Sequence, residues 1–312
     1  MKTPNFAPVD QEGSAKQEDK ISYHYSACSR QTCFLPKAVV LMLVVLLAVY
    51  VYGLVNNQQK QASEIVNKNA AIDQEASKKD NFCNVVVVPV EGSLITLSEM
   101  NDYGEPDGPQ TLSSKVVEYI DKANKNEDVK AVVLWLDSYG GSPVAADEIN
   151  LAVRRSIKPV VAVVRSAATS AGYLAISSSQ RIFTSKYSDV GAIGVTTSYI
   201  NQSIKDARDG VSYLELVAGQ YKGAGNPHRA LTYEERKMAQ ADLDKVYEMF
   251  IETVAKDRRL PVETVRKLAD GRSYLGVDAV KLKLADEIGD IEWARRYLAD
   301  KLKITVEQCI AE

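Results

Sequence analysis

Three short runs of branched apolar residues, each followed by a stretch of helical character, constrain this chain more than any other feature. NVVVVPV (84–90), KAVVLWLD (Lys130–Asp137) and PVVAVV (Pro159–Val164) are apolar at consecutive rather than alternate positions. A strand of that kind has both faces covered, as in a parallel sheet packed between helices. Amphipathic or apolar helical segments lie between and after the runs. They are about Leu112–Asn124, with Val116, Val117, Tyr119 and Ile120 on one side, then Ser142–Ser156, then the short SAGYLAISS (Ser170–Ser178). RIFT and the glycine-spaced VGAIGVTTSYI read as further strand-like pieces. The alternation predicts an α/β domain that begins near Asn84. A long amphipathic helix is predicted from Leu231 to about Arg258, opened by Thr232 and Glu235 as a capping box. Its stripe of Leu243, Val246, Phe250 and Val254 fits packing on its own core, or an oligomer interface.

Upstream of that domain the composition changes. Ala38–Val55 is 18 residues without a charge, enough for a spanning helix, with Tyr50 and Tyr52 where an aromatic belt would sit. The expected organisation is therefore a polar, disordered tail (1–37), a transmembrane helix (38–55), a stalk (56–83) and the folded domain (84–312). Lys37, Arg30 and Lys20 precede the span, against Lys60 and Lys68 after it. That bias predicts a cytoplasmic tail and a domain outside the cytoplasm, the periplasm in a Gram-negative cell. A net charge of −3 without a basic stripe gives no sign of a nucleic-acid binder. Cys28 and Cys33 lack the second half of a zinc site; Cys83 and Cys309 could pair or stay free.

Ser170 falls where a β-like run gives way to a helix, flanked by Ala168, Thr169, Ala171 and Gly172. Small neighbours leave its hydroxyl open, and the helix start offers free N–H groups. Taken alone, the same residue reads as a helix N-cap. Lys222, in VAGQYKGAGNPHR, serves as a general base only if its surroundings favour the neutral amine; alone it reads as an exposed loop lysine. Gly140–Gly141 closes a strand and could offer an amide to an oxyanion, or make a tight turn. His24 precedes the apolar segment, so a Ser-His-Asp arrangement could use only His228.

At these positions the chain resembles the signal peptide peptidase A family, serine–lysine proteases of the crotonase-like (Clp protease-like) fold. The resemblance runs from about Val85 to Leu298, through VVVVPVEGSL, LDSYGGSPVAADEI, RSAATSAGYLAISS, VGAIGV, AGQYKGAGNPHRALTYEER and ADGRSYLGVDAVKLKLADEIGD in the family's order. It implies that Ser170 is the nucleophile, Lys222 the base, and the N–H groups of Gly141 and Ala171 the oxyanion hole, with no cofactor or metal. Both dyad members lie in one domain, as in the short form, which implies a homo-oligomeric ring. The implied task is degradation of cleaved signal peptides or other hydrophobic peptides at the bacterial inner membrane. Tyr139, Ala171 and Gly223 depart from the motif, which has proline, glycine and aspartate there. Two other readings are a membrane scaffold with a retired site and an acyl-CoA enzyme of the crotonase type. The latter would need neither a Ser–Lys pair nor an anchor.

Overall fold

A computed structural model describes residues 83–98, 100 and 106–311, with a few residues between 42 and 61. The predicted tail and most of the predicted span and stalk lie outside the described residues. Met42, Leu46, Leu47, Val49, Tyr50, Tyr52 and Gly53 of the span are described and are helical. Among the described residues no helix is long and apolar enough to cross a membrane. The chain divides into two compact units, 1–73 and 74–312.

The larger unit runs β1 (Val85–Ile95), β2 (Gln110–Leu112), α1 (Ser113–Lys125), β3 (Ala131–Gly141), α2 (Pro143–Arg155), β4 (Val160–Thr169) and α3 (Ala171–Ile176). It continues through β5 (Arg181–Thr184), β6 (Asp189–Gly191), α4 (Ser203–Arg208), α5 (Tyr233–Arg258), α6 (Val262–Leu268) and β7 (Ser273–Leu275). The last elements are α7 (Gly276–Lys281), β8 (Glu287–Ile288), α8 (Ile291–Leu302) and β9 (Gln308–Ile310). The sheet order is β2-β1-β3-β4-β5-β8, with β6 joining β4 to β7 and β9 pairing with β1. Every pairing of these strands is parallel except β6 with β7. The expected mixed α/β architecture is present.

Consecutive apolar positions are explained by the two faces of the sheet. Val88, Val90, Val132, Leu134, Leu136, Ala162 and Val164 point to one side, where Val116, Ile120, Ile149 and Phe250 close the main core. Val85, Val87, Ala131, Val133, Val161 and Val163 point to the other, against Ala294 and Leu298 of α8. Fully burying each valine, leucine, isoleucine or phenylalanine among them contributes roughly 1.5–3 kcal/mol before its lost freedom is counted. Cys83 and Cys309 form a disulfide, which settles the choice the sequence left open. The bond lies where β9 pairs with β1, tying the entry of the domain to its last strand.

One expected strand is corrected. Within VGAIGVTTSYI only Val190 and Gly191 are in a strand, and 192–202 has no regular structure. Gly191 (φ +99°) and Ala192 (φ +46°) turn the backbone out of the ladder. The next bonds, Ala192 N–H to Arg272 O and Gly271 N–H to Ile193 O, hold the chain against the β7 entrance instead.

Candidate active site

Ser170 joins β4 to α3 with φ +52° and ψ −126°, a conformation that costs a non-glycine residue about 1–3 kcal/mol. The surroundings hold it there. Its N–H donates to Gly191 O at 2.8 Å, and its own carbonyl accepts from Tyr173 and Leu174 N–H at 3.0 Å. Ser170 does occupy the N-cap position, but its hydroxyl makes no capping bond, so the Oγ is left for other work. The helix starts hard against β3: a Cβ at Gly172 would lie 2.8 Å from Ser138 O.

The glycine pair lies beside the serine. Gly140 and Gly141 have φ of +128° and +138°, open to glycine and strained for anything else. A Cβ at Gly140 would sit 3.1 Å from Ser170 Cβ and 3.4 Å from Ala171 N, and one at Gly141 would be 2.3 Å from Leu94 O. Thr169 Oγ1 donates to Tyr139 O at 3.0 Å, and Ser138 Oγ to Gly92 O at 2.6 Å, fixing this loop to its neighbours. Ala171 is the first residue of α3, so its amide has no acceptor within the helix.

Ser170, Gly141 and Ala171 open together into a cleft of about 690 Å³. Its walls are mostly apolar, from Tyr139, Val144, Leu174, Val195, Val246, Met249 and Phe250, with Asp147 and Glu252 as the charged residues lining it. Tyr139, one of the departures, stands 70% exposed in the cleft wall. Ala171, another, is buried and adds only a methyl group.

Beneath the cleft a polar cluster, missed at the sequence level, fixes the three helices that form it. Asn150 Nδ2 donates to Leu174 O (2.8 Å), Ser177 Oγ (3.0 Å) and Asp257 Oδ2 (2.9 Å). Arg154 bonds both Asn150 Oδ1 (2.7 Å) and Asp257 Oδ1 (2.6 Å). The signal was present: Asn150 interrupts the apolar stripe of α2 between Ala146 and Val153. Burial of Tyr173, whose hydroxyl donates to Leu284 O at 2.9 Å, pushes that phenol well above its ordinary range.

Lys222 lies on the segment between α4 and α5. It is exposed in the turn 218–225 and does not line the Ser170 cleft. His228 does not line it either: Nδ1 lies 2.8 Å from Asp206 Oδ2 and the ring stacks on Tyr213. The cleft is thus lined by the serine, the glycine loop and Ala171, and not by the lysine.

Residues 152–305, which hold both Ser170 and Lys222, match the model of peptidase family S49. MJ0651 of Methanocaldococcus jannaschii, a protein named as a protease, is 32% identical over 63% of this chain and 65% of its own length. An Enterococcus faecium protein carrying the signal peptide peptidase SppA name is 29% identical over 75% of this chain and 67% of its own. The chain therefore spans about two thirds of the length of these relatives. Among solved structures, a ClpP1 variant from Listeria monocytogenes is similar over 69% of this chain and 95% of its own, with 15% identity and a TM-score of 0.43. Motif order, family match and named relatives agree in supporting a peptidase of the S49 kind, of the signal peptide peptidase A type.

Proposed function

We propose that the chain is a serine-type endopeptidase, anchored at the membrane through residues 38–55, that cleaves hydrophobic peptides such as spent signal peptides. The observation that carries this reading is Ser170, held in a strained conformation at an apolar cleft with an uncapped hydroxyl and the glycine loop beside it. A side chain kept there against its backbone preference fits a functional constraint better than a structural one.

In this reading the Ser170 hydroxyl attacks the scissile carbonyl while the neutral Lys222 amine takes its proton. The Gly141 and Ala171 amides receive the negative charge that develops on the carbonyl oxygen. The lysine then returns the proton to the departing amine, and water releases the acyl group by the reverse sequence. The fold is the crotonase-like (Clp protease-like) form, and the working species is a homo-oligomer. The domain faces the periplasm or its equivalent, which the Cys83–Cys309 disulfide supports, since such bonds persist in oxidising compartments.

The test is hydrolysis of a fluorogenic apolar peptide by the full chain in detergent. Ser170→Ala and Lys222→Ala should each lower kcat/KM by about a thousandfold or more, and His228→Ala should not. Because only the uncharged amine accepts a proton, the native rate should rise with pH. Equal rates in native and Ser170→Ala protein would end the proposal, and a native chain inactive throughout would favour the scaffold.

A further inference from the structure

We propose that Glu215 is a positioning residue for the lysine base, its carboxylate filling the place that a side chain after Lys222 would occupy. This rests on reading Lys222 as the base. Gly223 is buried, and its φ is not in the left-handed region, so its backbone does not call for glycine. Space does: a Cβ there would lie 2.5 Å from Glu215 Oε1 and 2.7 Å from Oε2. Where the related motif carries an acidic residue directly after the lysine, this chain has none. The carboxylate comes instead from earlier in the sequence and enters the same volume.

Glu215 is held on both oxygens. Asn226 Nδ2 donates to Oε1 at 2.7 Å, and Arg229 Nε to Oε2 at 3.1 Å. Arg229 Nη2 also donates to Gly223 O at 2.6 Å, so the residue after the lysine is bonded at its carbonyl by the guanidinium, while the carboxylate takes the space a side chain there would need. The other side of Arg229 makes a two-pronged bond to Glu235, at 2.8 and 2.6 Å. Glu235 in turn accepts from Thr232 N–H at 2.8 Å, at the start of α5. The contacts form one chain: α5 fixes Glu235, Glu235 fixes Arg229, and Arg229 with Glu215 fixes the peptide next to Lys222. Fork-shaped pairs of this kind specify geometry as well as supplying energy. A base displaced by about an ångström costs on the order of a hundredfold in rate, so such a clamp has a catalytic consequence.

Four variants of the full chain test it: Glu215→Ala, Gly223→Asp, the double Glu215→Ala/Gly223→Asp, and Lys222→Ala. Glu215→Ala should lower kcat by roughly 10- to 100-fold with little change in KM, and displace the acid limb of the pH–rate profile. Gly223→Asp should be impaired too, because its side chain meets the Glu215 carboxylate. The double variant, which returns a carboxylate to position 223 and empties position 215, should recover to within about threefold of native. A double variant no better than the worse single would overturn the proposal. So would a Glu215→Ala protein with native kcat and pH profile beside an inactive Lys222→Ala, and that result would leave the lysine base intact. Full activity in Lys222→Ala would remove the base itself and this role with it.

Discussion

Ser170 sits where backbone strain and chemistry meet. Its φ of +52° with ψ of −126° is glycine territory, and a side chain there costs stability that the Gly191 bond and the α3 amides must offset. Glycine relieves that strain, although it also gains freedom in the unfolded chain. Ser170→Gly should therefore stabilise the domain by about 1 kcal/mol while abolishing hydrolysis, whereas Ser170→Ala should abolish hydrolysis with no such gain. Urea unfolding of the three proteins measures this. A Ser170→Gly protein less stable than Ser170→Ala would mean that the left-handed conformation carries no strain. The neighbouring departures act differently: Tyr139 stands exposed in the cleft wall, while Ala171 adds a methyl group and keeps a backbone amide without an acceptor within the helix.

At the scale of elements, the first turn of α5 does two tasks, capping the helix and anchoring the lysine turn through Arg229. Arg229, and then the Thr232 amide, hold the Glu235 carboxyl down at about 2 from its ordinary 4.5. A carboxylate depressed in the folded state contributes stability that is fully present above about pH 4.5 and lost as pH falls towards 2. Glu235→Gln should thus flatten the fall in urea midpoint between those pH values, and identical pH curves for both proteins would contradict the assignment. This capping box was legible because its two side chains are three residues apart. The same holds for β1, β3 and β4, where unbroken branched runs can only be strands covered on both faces. What could not be read needed partners distant in sequence. Asn150 meets Asp257 across 107 positions. Glu215 meets Gly223 through a loop without regular structure. VGAIGV resembled a strand because its composition suits one, while its glycine and Ala192 turn it away from the sheet. The serine, the glycine loop and the Ala171 amide were legible as a group; that Lys222 stands outside their cleft was not.

For the whole molecule, the position of Lys222 bears on assembly. The segment that carries it leaves Ile200, Ile204, Leu214 and Leu216 all more than 70% exposed. Apolar side chains concentrated in one stretch and left in water mark a surface that another molecule covers. The N-terminal half of α5, 233–245, is also largely unburied, with Glu235 its one buried residue. If a second copy covers these surfaces, the lysine turn lies at a boundary between subunits, and the cleft it serves belongs to the neighbour. Each site is then assembled from the serine of one copy and the lysine of the next, in keeping with a cleft that Lys222 does not line. The prediction concerns mixtures: Ser170→Ala and Lys222→Ala chains, each inactive, are unfolded, mixed in equal amounts and refolded together. Random assembly pairs an intact serine with an intact lysine in roughly a quarter of the sites, so about that fraction of native activity should return. Refolding each variant alone should return none. Activity that stays absent in the mixture, while oligomers of both variants demonstrably co-assemble, would mean that each lysine folds back to its own serine.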